Sequence, residues 1–387
     1  MALVGAAAVP LVLAGVQTAG AQTAGAQLAG ASPASASWTL TDPVIPTGAT
    51  QSYFSHVACP SRNNCFAIGT ADSANSTLPL AEHWNGTAWA AQDMPLPAGN
   101  SNGQVQGLAC PTARDCIAVG SYGTNFNVQS TLAERWTGTS WVVLKTPTLS
   151  GSSTAGLGLV SCASATSCLA LGSVGTDGTP LAETYNGKAW TVLTSAPSGG
   201  QFEALSCPSA TSCVAVGING KGLFAASWDG STWTTQSTPS PKGATQAAFS
   251  AIWCGSATDC IATGEDKHGR PYLPLAESWN GTAWTPMLME RLSGLYSSDL
   301  SGLSCNADGS NCTAVGYQVP FIRPRLSSTL AEHWTGTRWG EETTADPSGV
   351  RDSSLNSVSC YPATNCTAVG NYTTLKKKNV VMAEQGS

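Results

Sequence analysis

Two residue types recur in this chain at spacings that could support chemistry. The first is glutamate. In LAEHW, residues 80–84, strand alternation places Leu80, Glu82 and Trp84 on one face and Ala81 and His83 on the other. A carboxyl held among apolar neighbours is the kind that can act as a general acid near neutral pH. The same glutamate returns as Glu134, Glu183, Glu277, Glu332 and Glu384, and the fourth copy carries Ala226 instead. Acid–base work on a glycoside needs one defined pair of carboxyls rather than six equivalent ones. The expectation is therefore a repeated internal hydrogen-bond acceptor. His83 and His333 lie on the opposite face in two copies and read as packed or solvated.

The second type is cysteine. Its 14 residues pair as Cys59 and Cys65, Cys110 and Cys116, Cys162 and Cys168, Cys207 and Cys213, Cys254 and Cys260, Cys305 and Cys312, and Cys360 and Cys366. Successive first cysteines are 51, 52, 45, 47, 51 and 55 residues apart. A zinc knuckle would space its ligands by two to four residues and would bring histidine with them, and neither holds here. An even, regular set following a leader-like segment points to disulfides formed in an oxidising compartment. In LACPTARDCIAVG, residues 108–120, an apolar run enters the first cysteine and an alternating run leaves the second. This pattern predicts a hairpin with the cysteines facing one another. Each closed loop adds about 2 kcal/mol on a chain-entropy basis.

Composition narrows the function classes. Charged residues are only 10% of the 387, while Gly 41 and Pro 22 favour short strands and turns over helices. A net charge of −6 leaves no broad basic surface, Lys376, Lys377 and Lys378 reading as a solvated loop tip, and argues against nucleic acid and anionic membranes as partners. Residues 1–36 read as a signal peptide and an Ala/Gly/Gln-rich leader, with Ala-x-Ala sites at 19–21, 24–26 and 34–36, although no Lys or Arg precedes the apolar run. That run is too short to span a bilayer, and no other segment of the chain reads as a span. A secreted, monomeric chain with its folded domain over residues 37–387 is expected.

The elements that must hold these residues come from the other half of each repeat. LAEHWNGTAW (80–89) returns as LAERWTGTSW (132–141), LAETYNGKAW (181–190), FAASWDGSTW (224–233), LAESWNGTAW (275–284) and LAEHWTGTRW (330–339). Asn-Gly, Thr-Gly or Asp-Gly between apolar runs signals a second hairpin. Asn85 and Asn280 also match the glycosylation acceptor pattern, but the turn accounts for every copy. Two hairpins per repeat of about 50 residues, seven times over, predict an all-β, seven-bladed β-propeller of four-stranded blades. The seventh repeat ends at VVMAEQGS without its turn and final Trp, while SWTLTDP (37–43) stands unpaired near the start. Trp38 should therefore supply the fourth strand of the last blade and close the ring. Trp253 is the one tryptophan of 13 without a place in the repeat.

With a Gly after the second strand, an acidic residue two before an aromatic in the third and a Trp in the fourth, the repeat resembles the kelch-type, galactose-oxidase-like propellers. It has one Gly where that family has a pair, as in IAVG (117–120). The resemblance implies shape more than chemistry, because the family includes both binding scaffolds and oxidases. A copper oxidase site would need convergent His and Tyr residues. The four histidines here, His56, His83, His268 and His333, show no ligand spacing, and no metal or other cofactor is expected.

Blade-to-blade differences fall in the loops joining strands two to three and four to one, so recognition belongs on that face. Most of these loops are small and polar, such as TSAPSGG (194–200), and carry little recognition potential. Loops 265–274, 289–299 and 317–328 concentrate aromatic and Arg residues of the kind that dominate binding hot spots: His268, Arg270, Tyr272, Arg291, Tyr296, Tyr317, Phe321, Arg323 and Arg325. They point to a non-catalytic protein that binds an extracellular glycan or surface protein. The competing expectation is a glycan hydrolase or lyase using Glu265, Asp266, Glu290 or Asp299, with Arg323 or Arg325 steering an acidic sugar. A passive envelope component is the third.

Overall fold

The computed structural model describes residues 37–125, 128–149, 154–220, 222–290, 292–362 and 364–386. The leader assigned to residues 1–36 and the candidate Arg291 lie outside them. The described residues form seven four-stranded antiparallel sheets: 51–92, 102–144, 155–192, 201–236, 246–286, 295–342, and a seventh made of 350–386 with Thr39–Thr41. The first strands contact one another in sequence all the way round, from Gln51–Ser61 of blade one to Val350–Cys360 of blade seven and back, so the ring is closed. Both faces of every sheet meet a neighbour, which is why the second and third strands are buried almost without alternation. Between blades one and two, for example, Phe66, Ile68 and Ala81 pack on Val105, Leu132, Trp136 and Trp141.

A β-bulge interrupts every first strand at the same place, four residues before the first cysteine. The extra residue is Ser55, Gln106, Gly158, Glu203, Ser250, Ser301 or Asn356. Directly opposite the residue before each bulge stands the glycine that ends the apolar run of the second strand: Gly69, Gly120, Gly172, Gly217, Gly264, Gly316 and Gly370. The bulge drives a first-strand carbonyl oxygen into the space a side chain would need, and a Cβ at any of these glycines would come within 1.8 to 2.1 Å of it. The single Gly of each repeat is the seat of the bulge.

All seven expected disulfides are present, joining Cα atoms 3.9 to 4.0 Å apart across the hairpins between first and second strands. They imply folding in an oxidising environment. The residue before the first cysteine adds a seam between blades. The backbone N–H of Cys59, Cys207, Cys254 and Cys360 donates to Ser359, Ser161, Ser206 and Ser304 Oγ respectively, at 2.9 to 3.0 Å. These hydroxyls satisfy groups on the inner edge that no strand pairs. At the other seams the position holds Ala58, Ala109 or Trp253, which explains why Trp253 stands outside the repeat.

Closure follows the expected route. Thr39, Leu40 and Thr41 pair with Gln385, Glu384 and Ala383. Six blades set an aromatic pair across their last two strands, such as Trp136 and Trp141 with ring centroids 5.9 Å apart. In blade seven the inner member is Gly386, and Trp38, only 5% exposed, lies against it. The Trp38 indole donates to Glu342 Oε2 of blade six at 2.9 Å. No helix among the described residues is long and apolar enough to cross a membrane.

Candidate functional site

The face bearing the tight turns is occupied by structure. The side-chain oxygen of Asn85, Asn186, Asp229 or Asn280 accepts from the two N–H groups that follow the turn glycine, at 2.7 to 3.0 Å. The glycines, such as Gly86 at φ 96°, supply the left-handed residue these turns require. His83 stacks on Phe66 at 4.5 Å with Nε2 2.8 Å from Asn64 Oδ1, and His333 lies 3.8 Å from Glu342; both are packing residues.

The six recurrent glutamates are fully buried, but only some are the acceptors expected. Glu82 accepts from Val44 N–H at 2.9 Å and Glu384 from Ala345 N–H at 3.0 Å. Both donors stand six residues after the outer-strand tryptophan of the preceding blade. For Glu134, Glu183 and Glu277 the corresponding residues are Pro95, Pro147 and Pro239, which have no N–H to give. The Thr131 hydroxyl lies beside Glu183, whereas Glu134, Glu277 and Glu332 have no hydrogen-bond partner among the described residues. Burial pushes Glu134 and Glu332 up to about 8 and Glu82, Glu183, Glu277 and Glu384 up to about 7. Below about pH 7 these groups are mostly neutral acids in the folded chain.

A measurable consequence follows. The folded state holds protons that the unfolded chain releases above about pH 4.5, so stability is full below that value and is lost as pH rises to 7–8. His56, which burial pushes down to about 4, acts in the opposite sense between pH 6.5 and 4 but is outnumbered. The melting temperature should fall from pH 5 to pH 8, with each such glutamate contributing up to about 1.4 kcal/mol per pH unit within its window. Glu134→Gln, a neutral isostere, should flatten the profile; a profile that rises with pH and ignores the substitution would refute the assignment.

On the variable-loop face, three of the expected residues come together. Arg325 lies over Tyr296 at 3.9 Å and near Phe321 at 5.4 Å, and the two rings meet edge to face at 6.3 Å. Phe321 is 48% exposed, Ile322 beside it 79% and Tyr296 38%, so blade six carries an apolar ridge. Tyr272 and Tyr317 are half-buried instead. Tyr272 donates to Gln246 at 3.1 Å beneath Lys267, and Tyr317, opposite Asp299 in the sheet, feels the charges of Glu265 and Asp299. His268 sits 2.9 Å from Asp266. Arg270 and Arg323 are exposed and make no hydrogen bond or ion pair among the described residues. Asp299 accepts from Ser250 at 3.0 Å and Ser301 at 2.7 Å, while Glu290 is exposed. Burial and the charge of Asp299 push Glu265 up to about 7; Glu203 is raised for the same two reasons. Among the described residues no cluster of His, Cys, Asp and Glu is arranged to hold a metal ion.

A second open feature lies elsewhere, over blades two to four. A cleft of 750 Å³ runs from the bulge residues Gln106, Gly158 and Glu203 at the axis out to the small-residue loops of blade three at Gly178 and Pro197. Bulge side chains in three of the other blades stitch the ring: Asn356 Nδ2 donates to Phe54 O at 2.7 Å, Ser55 Oγ to Val105 O at 3.4 Å, and Ser250 Oγ to Asp299, while Ser301 Oγ of blade six donates to Asp299 in its own strand. The side chains of Gln106 and Glu203 make no hydrogen bond to any described residue and are exposed in the cleft. Loops that read as featureless in sequence thus create the space. The signal was the position four before each first cysteine, where blades two to four carry Gln, Gly and Glu instead of Ser or Asn.

No protein-family model matches the chain, and a search of curated proteins finds no match. Solved structures do. The chain is similar to a protein of unknown function from Dyadobacter fermentans at 9% identity and a TM-score of 0.51, over 90% of this chain and 99% of that one. It is similar to the GH74 enzyme of Niastella koreensis at 11% identity and a TM-score of 0.51, over 86% of this chain and 52% of that one. It is also similar to Sqt1 from Chaetomium thermophilum at 11% identity and a TM-score of 0.48, over 88% and 86%. At these identities the likeness is one of fold, and the chain spans about half of the GH74 enzyme. By architecture, register and disulfides, this is a seven-bladed β-propeller with a hairpin disulfide in each blade.

Proposed function

We propose that this protein is secreted, that residues 1–36 are its leader, and that its kelch-like propeller, residues 37–387, binds an extracellular polysaccharide without catalysis. The observation that carries this reading is the distribution of open features. The cleft over blades two to four and the ridge of Tyr296, Phe321 and Arg325 on blade six share one face and lie on opposite sides of the axis. An extended polymer can engage both, whereas a small solute reaches one. Aromatic faces suit the C–H surfaces of sugar rings, and Arg325 is held in place by the rings it covers. A hydrolase draws less support, because Asp299 is engaged by two serines and Asp266 by His268.

The test is binding of the oxidised, full chain to a panel of soluble polysaccharides by calorimetry. A saturable interaction without product release is expected, weakened about three- to tenfold by Phe321→Ala. Absence of binding across the panel would overturn the reading in favour of a protein ligand. Release of shorter oligosaccharides would overturn its non-catalytic part.

A further inference from the structure

Building on the polysaccharide reading, we infer that the cleft over blades two to four is a subsite for uncharged sugar residues, and that Gln106 and Glu203 select them through hydrogen bonds from the axial wall. Four observations converge. First, the cleft has the volume of an ordinary ligand site, 750 Å³. Second, no Lys, Arg or Asp lines it among the described residues, and the walls offer amides, hydroxyls and short apolar side chains. A uronate or sulfated unit would find no cation there, while a neutral polyol finds both donors and acceptors.

Third, two polar side chains at the axis are left without partners. Gln106 and Glu203 make no side-chain hydrogen bond to a described residue, whereas His56 is buried beside the Gln106 backbone. Repeat symmetry shows what such positions do when only structure is at stake. Asn356 and Ser55 reach across to the next blade, as does Ser250. Blades two to four depart from this habit in succession, beneath the cleft. Fourth, the floor is made low by glycine. A Cβ on Gly158 would meet only Gln106 Oε1, at 3.5 Å, so the backbone would accept a larger residue and the space is not forced by strain.

Burial keeps the His56 imidazole unprotonated, and burial together with Asp299 raises Glu203. The Glu203 carboxyl can accept from a sugar hydroxyl. The Gln106 amide can both donate and accept.

Gly158→Tyr makes the decisive variant, because it fills the cleft at a position where the backbone tolerates a side chain. Binding of the full, oxidised chain would be compared on neutral probes (a soluble β-glucan, a mannan and a galactan) and acidic ones (polygalacturonate and alginate). Neutral probes alone should bind, with affinity reduced at least about tenfold by Gly158→Tyr and about fivefold by Gln106→Ala, at unchanged melting temperature. Binding confined to acidic probes, or to neutral probes but insensitive to Gly158→Tyr and sensitive to Phe321→Ala, would overturn the subsite while leaving the polysaccharide reading intact. No binding to any probe would overturn both.

Discussion

Gly120→Ala destabilises the propeller by about 3 kcal/mol or more, although it adds a single methyl group to a strand. The added Cβ would lie 1.9 Å from Gln104 O, the carbonyl that the bulge at Gln106 pushes against the second strand. Backbone is on both sides of this contact, so no side-chain rotation can relieve it; the bulge must shift, and with it the packing of blade two against blades one and three. The same cost applies at Gly264, where the distance is 2.1 Å. Gly340→Ala is the control, since a Cβ there meets nothing within 4 Å. Chemical denaturation of the oxidised proteins should show a large drop in midpoint for the first two and little change for the third. Equal, small effects at all three positions would mean that the bulges are not fixed features of the ring.

Trp38→Ala costs about 3 to 5 kcal/mol and opens the ring at one seam. Trp38 is almost wholly buried against Gly386, hydrogen-bonds to Glu342 of blade six, and belongs to the core that joins blades six and seven. Without it, Asn379–Gly386 becomes an exposed edge strand, the template for association that a closed ring removes. The variant should elute earlier than the unsubstituted chain and be cleaved first in its C-terminal strand under limited proteolysis. A synthetic peptide of sequence SWTLTDP should restore protection by adding the missing strand. A variant that elutes as the unsubstituted chain does and stays resistant would show that closure rests on blade packing alone.

The architecture was legible because it is written seven times. Paired cysteines marked one hairpin, the Gly between aromatics marked the other, and the orphan Trp38 matched the truncated last repeat. Each signal depends on residue type at fixed spacing, which strand periodicity preserves. The glutamates were half legible. Their burial followed from alternation, but their partners depend on whether the connecting segment offers an N–H, and Pro95, Pro147 and Pro239 withhold it. Aromatic and Arg residues drew attention to blades five and six, where Tyr296, Phe321 and Arg325 do gather. The cleft escaped notice because a cavity is made by side chains that are absent. Gly158, Gly178 and Pro197 look like filler in a linear chain, and only the ring brings them beside Gln106 and Glu203.

The location of the ligand is the point on which the functional reading stands, and hydrogen exchange on the full, oxidised chain, with and without a bound neutral polysaccharide, measures it directly. New protection is predicted in the peptides spanning 104–121 and 172–203, with a second footprint at 296–325. Protection confined to the tight-turn face, around 85–89 and 280–284, would contradict a ligand site on the variable loops.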